Sequence, residues 1–392
     1  MQIETVDNIK NPILEEFEPE LLLDLKDYPI TEVYQKYNEN TFDFPTAFDQ
    51  KLMFCPKSNH AYLGKLLPQD FIYNSENYHT VSSASQGSVT ALNNFFAFIT
   101  KNIKEGTESF VDIGANDTLL LKKFKDKDVN LIGIDPNINS DDESIVCIKD
   151  YLENVDLNKY AKGKKTFISS HTLEHIYDPR KFMKILSESS TEEDQFFFQF
   201  PSLDLLVRDN RFDQIHHQHI HYFSVQSLSQ LISEFGFQLI DHYLDPDHYG
   251  TLMVSFKKTS KEIRLYEYES FYSSEEIKER YETFLTDISS TNKKIEHVED
   301  NLYCYGASLM LPILSYYMPS MDKALKIIDQ DKSKSGLSYV NYDVEITDGL
   351  NIDLTKSEVL ITAVATKLAT RKIVNNLCEK KAMNIILPLN TI

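Results

Sequence analysis

The sequence predicts an α/β protein with a central doubly wound parallel sheet, a small module before it, and a second, smaller doubly wound unit after it. Two observations carry this. Strand-length apolar runs alternate with helical patterns from Ser88 to Phe256, and a similar alternation starts again after Leu302. The length agrees: 392 residues with 42% apolar composition exceed what one core accommodates.

In chain order, Pro12 to Lys26 reads as an acidic helix, followed by short aromatic runs broken by Pro45, Pro56 and Pro68. Val89 to Lys101 is a helix that leads into the apolar strand Ser109 to Ile113, the turn residue Gly114 and a helix over Leu119 to Phe124. Strands follow at Asn130 to Ile134, Thr166 to Ser169 and Gln195 to Phe200, with helices at Asp178 to Glu188 and Ser224 to Phe235. Gln238 to Tyr243 and Thr251 to Phe256 close the sheet as a hairpin pair. The charged segment Thr259 to Glu299 reads as a long connecting helix or helix pair. Leu302 to Ser308 opens a helix, and Ala324 to Ile328, Val359 to Ala363 and Asn384 to Leu387 are strands of the second unit. The expected domain limits are 1–87, 88–258 and 259–392.

A formal net charge of −20 repels phosphate backbones and anionic bilayers, which disfavours nucleic-acid and membrane partners. No run approaches the roughly 20 apolar residues needed to span a bilayer, and the amino-terminal segment has no basic flank or apolar core of an export signal. Cytoplasmic placement is expected. Cys55, Cys147, Cys304 and Cys378 are far apart and form no C-x-x-C pair, so neither a disulfide framework nor a thiolate zinc cage is expected.

Ligands of open parallel sheets sit beyond the carboxyl ends of the strands, where a glycine turn admits the ligand and the next strand supplies an acid for ribose hydroxyls. Gly114 and Asp135 fill these roles at the expected separation of about 20 residues. The turn Gly114-Ala115-Asn116-Asp117-Thr118 has one glycine where a dinucleotide turn needs two or three to approach a pyrophosphate. S-adenosylmethionine has no pyrophosphate, and Asn116 with Asp112 or Asp117 suits its cationic end. Asp150 and Tyr151 fall near the adenine, and Ser170 follows the fourth strand at the cleft edge. The structural alternative is an ordinary strand-to-turn junction with an incidental acid.

Three runs now combine: Val111-Asp112-Ile113-Gly114-Ala115-Asn116-Asp117, Leu173-Glu174-His175-Ile176-Tyr177-Asp178, and Phe212-Asp213-Gln214-Ile215-His216-His217-Gln218-His219-Ile220-His221-Tyr222-Phe223-Ser224. In order and spacing they resemble the sugar C-methyltransferases of deoxysugar and antibiotic pathways. Tyr305-Gly306-Ala307-Ser308, Ile328 to Gly336 and Ile386-Leu387-Pro388-Leu389 resemble that family's final domain. The resemblance implies a Rossmann-like class I methyltransferase domain, S-adenosylmethionine as cofactor, and a nucleotide-linked keto-sugar substrate held partly by the C-terminal unit. It also implies an N-terminal zinc module, from which this chain departs. Cys55 and His60 are what remains of the ligand pattern, so no structural zinc is expected.

The resemblance makes His219 the base, with His216, His175 and Tyr78 as enolate stabilisers or proton carriers. It assigns His171, Gln218, Tyr222 and His248 to the sugar. His216 and Gln218 stand where the family has Tyr and Glu, and His248-Tyr249-Gly250 stands where it has His-Gly-Gly. Methylation of a carbon beside a ketone requires proton removal and stabilisation of the enolate oxygen, both within the reach of near-neutral histidine. Histidine clusters also bind transition metals, but no carboxylate third ligand is evident beside this one, and no metal is expected. Two other functions remain open: methylation of a sugar hydroxyl or amine, and a non-catalytic protein that keeps the fold, since Thr118 replaces a glycine.

Overall fold

The computed structural model describes residues 3–8, 10–39, 42–72, 86–125, 128–246, 250–266, 272–299, 301–364 and 366–389. Its largest sheet has seven strands: β1 Ser109–Ile113, β2 Asn130–Ile134, β3 Ile145–Ile148, β4 Lys165–Ser170, β5 Gln195–Pro201, β6 Phe237–Asp245 and β7 Thr251–Lys258. They lie in the order β6-β7-β5-β4-β1-β2-β3, with β7 antiparallel to both neighbours and β1 to β5 mutually parallel. Chain direction through the sheet reverses between β1 and β4, which is where a ligand crevice opens in doubly wound folds.

Burial explains the strands. Phe196 and Phe198 of β5 join one apolar cluster and Phe197 joins the cluster on the opposite face. A continuous aromatic run is therefore buried on both sides, as a central parallel strand requires. Helix α1 Gln86–Asn102 covers one face through Leu92, Phe95 and Ile99. Helices α2 Pro179–Glu188 and α3 Val225–Ser233 cover the other. Their starts are set by polar caps: Asp178 accepts the amide of Lys181 at 2.9 Å, and Ser224 forms a capping box with Ser227.

The N-terminal sheet contains Glu20–Pro29, Ala47–Cys55 and His60–Leu63, and its fourth strand is His221–Tyr222 from the central chain segment. The expected helix over Pro12 to Lys26 is corrected: Glu20–Pro29 is a strand. Two irregularities in its pairing, after Leu21 and after Leu25, shift the period-2 alternation. The buried Leu22, Leu23 and Leu25 therefore do not alternate with exposed neighbours, and the strand loses its period-2 signature.

Of the charged connector, α4 Ser274–Glu296 is helical, and it begins in a capping box of Ser273 and Glu276. The stretch Leu302 to Ser308 does not itself open a helix. Its first part belongs to β8 Asn301–Tyr305, and the helix that follows begins at Leu311. With β9 Lys326–Ile328, β10 Ile346–Thr347, β11 Ser357–Ile361 and β12 Asn384–Ile386, this strand forms an all-parallel sheet in the order β10-β9-β8-β11-β12. One apolar core runs from Leu23, Phe54 and Leu63 through Ile277, Phe284 and Ile288 to Ile313, Ile327 and Val359, so the outer sheets are packed together across α4. Among the described residues no helix is long and apolar enough to cross a membrane.

Candidate active site

The turn after β1 is shaped by contacts that few residue types satisfy. Gly114 has φ +80°, and a Cβ there would lie 1.9 Å from Thr172 Oγ1. Gly114 N–H donates to Ile134 O at 2.8 Å, and Asn116 N–H donates to Asp135 Oδ2 at 3.2 Å. Asp135 Oδ1 accepts the amide of Asn137 at 2.6 Å. The acid at the end of β2 therefore ties the two loops together at the switch point, and burial pushes its carboxyl above the usual range.

A cleft opens over this turn. Its walls include Gly114, Asn116, Asp135, Asp150, Tyr151 and Ser170, together with His171, His175, Gln218 and His219. Apolar surface comes from Ile113, Ile134, Leu152 and Phe182. Asp112 and Asp117 do not line it. Asp112 is buried, and its carboxyl is pushed well above the usual range first by burial and then by the charges of Asp135 and Asp117. Asp135 and Asp117 lie close enough to act on the Asp112 carboxyl, so negative charge collects at this end of the cleft.

The histidine run divides into two faces. His217 Nδ1 accepts from Gln50 Nε2 at 3.1 Å, and its Nε2 donates to Tyr28 O at 3.0 Å. His221 Nε2 donates to Ile176 O at 2.9 Å, and its Nδ1 meets His60 Nε2 at 3.2 Å. These two rings bolt the segment to the N-terminal sheet, where Cys55 and His60 are cross-strand partners. Burial lowers His217 to about 4 and His221 to about 3.

His219 and His216 point the other way. Their ring centroids are 3.9 Å apart, and His175 is 5.0 Å from His219. Burial first, then His216, His175 and His171, holds His219 well below the ordinary histidine value, so it is neutral at pH 7. His216, likewise lowered by burial, has no hydrogen-bond partner on either ring nitrogen among the described residues; it backs His219 and does not line the cleft. Tyr222 also stands behind the wall, where its hydroxyl accepts the amide of His216 at 3.3 Å. Tyr78 and His248 lie outside the described residues.

The sequence reading missed several wall residues. Glu32 and Gln69 come from the N-terminal segment, Gln199 from β5, and Leu309 from the turn after β8. No local motif marks them, because each reaches the cleft through tertiary packing. The expectation that no carboxylate accompanies the histidines is also overturned. Glu174 is fully buried, its Oε1 lies 3.1 Å from His171 Nδ1, and one donor atom each of Glu174, His175 and His219 lies within 4.8 Å of the others.

A seven-stranded doubly wound sheet with a single-glycine turn, an acid after the second strand and a cleft at the switch point makes a fold of the nucleotide-binding type. The comparisons specify it. Residues 88–242 match the family model described as a methyltransferase domain. The curated relative C-methyltransferase NovU of Streptomyces niveus is 26% identical over 157 residues, which cover 37% of this chain and 36% of that protein. The match thus spans about a third of the relative's length. Among solved structures, a Burkholderia thailandensis 1,6-didemethyltoxoflavin N1-methyltransferase bound to S-adenosylhomocysteine superposes with TM-score 0.35 and 13% identity over 43% of this chain and 79% of that one. A putative S-adenosylmethionine-dependent methyltransferase from Listeria monocytogenes gives TM-score 0.35 and 12% identity over 43% of this chain and 99% of that one.

The central unit is a Rossmann-like methyltransferase domain, and its cofactor is S-adenosylmethionine. The residues present suit such a molecule: Asp135 and the apolar Ile113, Ile134, Leu152 and Phe182 line the cleft, and Asp112 is buried beneath the turn.

Proposed function

We propose that the protein methylates a carbon beside the ketone of a nucleotide-linked deoxysugar, with His219 as the base. The observation that carries this reading is that His219, His175 and Gln218 share one cleft with Gly114, Asn116 and Asp135. The name of the Streptomyces niveus relative is consistent with carbon as the acceptor. In this reading residues 88–258 bind the cofactor, residues 1–87 cover the cleft, and residues 259–392 hold the nucleotide.

S-adenosylmethionine, when bound, supplies an electrophilic methyl group. A ring nitrogen of His219 takes the proton from the carbon next to the ketone, which leaves an enolate. His219 is suited to this because burial keeps its lone pair free at neutral pH. His175 Nδ1 donates to Gln218 O at 2.7 Å, which fixes its ring beside His219. Gln218 and His171 present polar groups for the sugar, and the family resemblance assigns His248 to the sugar and Tyr78 to the enolate. The acceptor carbon then takes the methyl, and His219 passes its proton to solvent.

The test is incubation of the full chain with S-adenosylmethionine and a panel of nucleotide-linked 4-keto-sugars in heavy water, read by mass spectrometry and NMR. A new carbon-bound methyl, with deuterium exchange beside the ketone, is expected. A methyl on oxygen or nitrogen overturns the reading. So does tight cofactor binding without turnover across the panel.

A further inference from the structure

We propose that Glu174, His175 and His219 form a site for one divalent transition-metal ion, opening into the methyl-transfer cleft. Two imidazoles and a carboxylate make a donor set that suits zinc, cobalt or iron(II) and leaves coordination positions open. Their donor atoms lie within 4.8 Å of one another. Ligands about 2.1 Å from a shared ion can be up to about 4.2 Å apart, so small side-chain adjustments close the set.

Three further features point to an ion. Glu174 is fully buried, and its Oε2 has no hydrogen-bond partner among the described residues. A buried carboxylate oxygen left unpaired is costly, and a cation would offset that cost. His219 is 7% exposed, and its Nδ1 is likewise without a partner among the described residues. His175 is held beside the other two donors: Nδ1 donates to Gln218 O at 2.7 Å, which fixes the ring, and Nε2 lies 3.9 Å from Glu174 Oε1. A backbone carbonyl behind a metal-bound imidazole is a common supporting contact in metal sites.

Metal binding does not depend on the proposed carbon methylation. One consequence rests on that reading: an ion on His219 occupies the lone pair that would take the proton, so metal occupancy and proton abstraction exclude each other. Zinc should then inhibit transfer in proportion to its occupancy.

The test uses the full chain stripped with a chelator and titrated with Co2+ at pH 7.5, followed by visible absorption. Zn2+ displacement is measured by equilibrium dialysis, and S-adenosylmethionine affinity serves as the control for folding. One Co2+ per chain with ligand-field bands, displaced by Zn2+, is expected. Glu174→Gln and His219→Ala should each weaken binding roughly tenfold or more while cofactor affinity holds. Absence of ligand-field bands in the wild type at saturating Co2+, or wild-type metal affinity in both variants, overturns the site. Zinc occupancy at the site without loss of methyl transfer leaves the site standing and removes His219 as the base.

Discussion

The central and C-terminal sheets build the same turn twice. After β1, Gly114 N–H donates to Ile134 O at 2.8 Å, and Asp135 accepts from Asn116 and Asn137 at 3.2 and 2.6 Å. After β8, Gly306 N–H donates to Ile328 O at 2.8 Å, and Asp329 accepts from Ala307 and Asp331 at 2.6 and 2.8 Å. What stands over the turn differs. The first opens into the cleft of His171, His175 and His219. The second is tied down: Lys334 Nζ donates to Ala307 O at 2.9 Å, Tyr339 to Ser308 O at 2.8 Å, and Tyr34 of the N-terminal segment reaches Ala307 O at 3.5 Å. A strand, a glycine and an acid are therefore enough to build the mouth, while the elements packed above it decide whether the mouth stays open.

The largest expected effect concerns the histidines, which the second turn lacks. His219→Ala should lower the rate of methyl transfer by roughly 10²–10⁴-fold, the usual contribution of a positioned base, with cofactor Kd little changed. Steady-state kinetics with calorimetry checks this, and a near wild-type rate would leave the two turns distinguished by cover alone.

Next comes the pair of acids. Asp135→Ala should weaken S-adenosylmethionine binding by roughly 1.5–3 kcal/mol, whereas Asp329→Ala should leave it unchanged while lowering stability, because the amides of Ala307 and Asp331 lose their acceptor. Calorimetry on both variants decides; equal loss of affinity would make the second turn part of the cofactor site.

The smallest effect is acid sensitivity. The folded-state value of His217 is depressed from 6.5 to about 4, so its contribution to stability is fully present above pH 6.5 and fades as the pH falls toward 4. Between pH 7 and pH 5 that loss is roughly 2 kcal/mol for His217. No histidine occurs after His297. Amide exchange at pH 5 should therefore accelerate first around Ile215 to Tyr222 and the strands paired with it, and last in β8 and β11. Uniform acceleration across the chain would contradict this assignment.

The β1 turn, its acid and most strands of the central and C-terminal sheets are legible in the sequence, because each is a local apolar run bounded by turn or polar residues. Strand β3 and the helix Lys367–Glu379 were not assigned, since Val146 and Cys147 are exposed and the helix buries little beyond Thr370 and Leu377. Glu20–Pro29 shows no strand period in the sequence because its pairing irregularities break the alternation of buried and exposed residues.

By itself the sequence determined the fold class, the Gly114 and Asp135 pair and the histidine-rich segment, since backbone conformation and burial period depend on near neighbours. Only the tertiary structure decided which histidines serve the cleft. His217 and His221 bond to Tyr28, Gln50, His60 and Ile176, and His219 is left to face His175 and Glu174. Those partners come from positions as far as 189 residues away, a separation over which no sequence period extends.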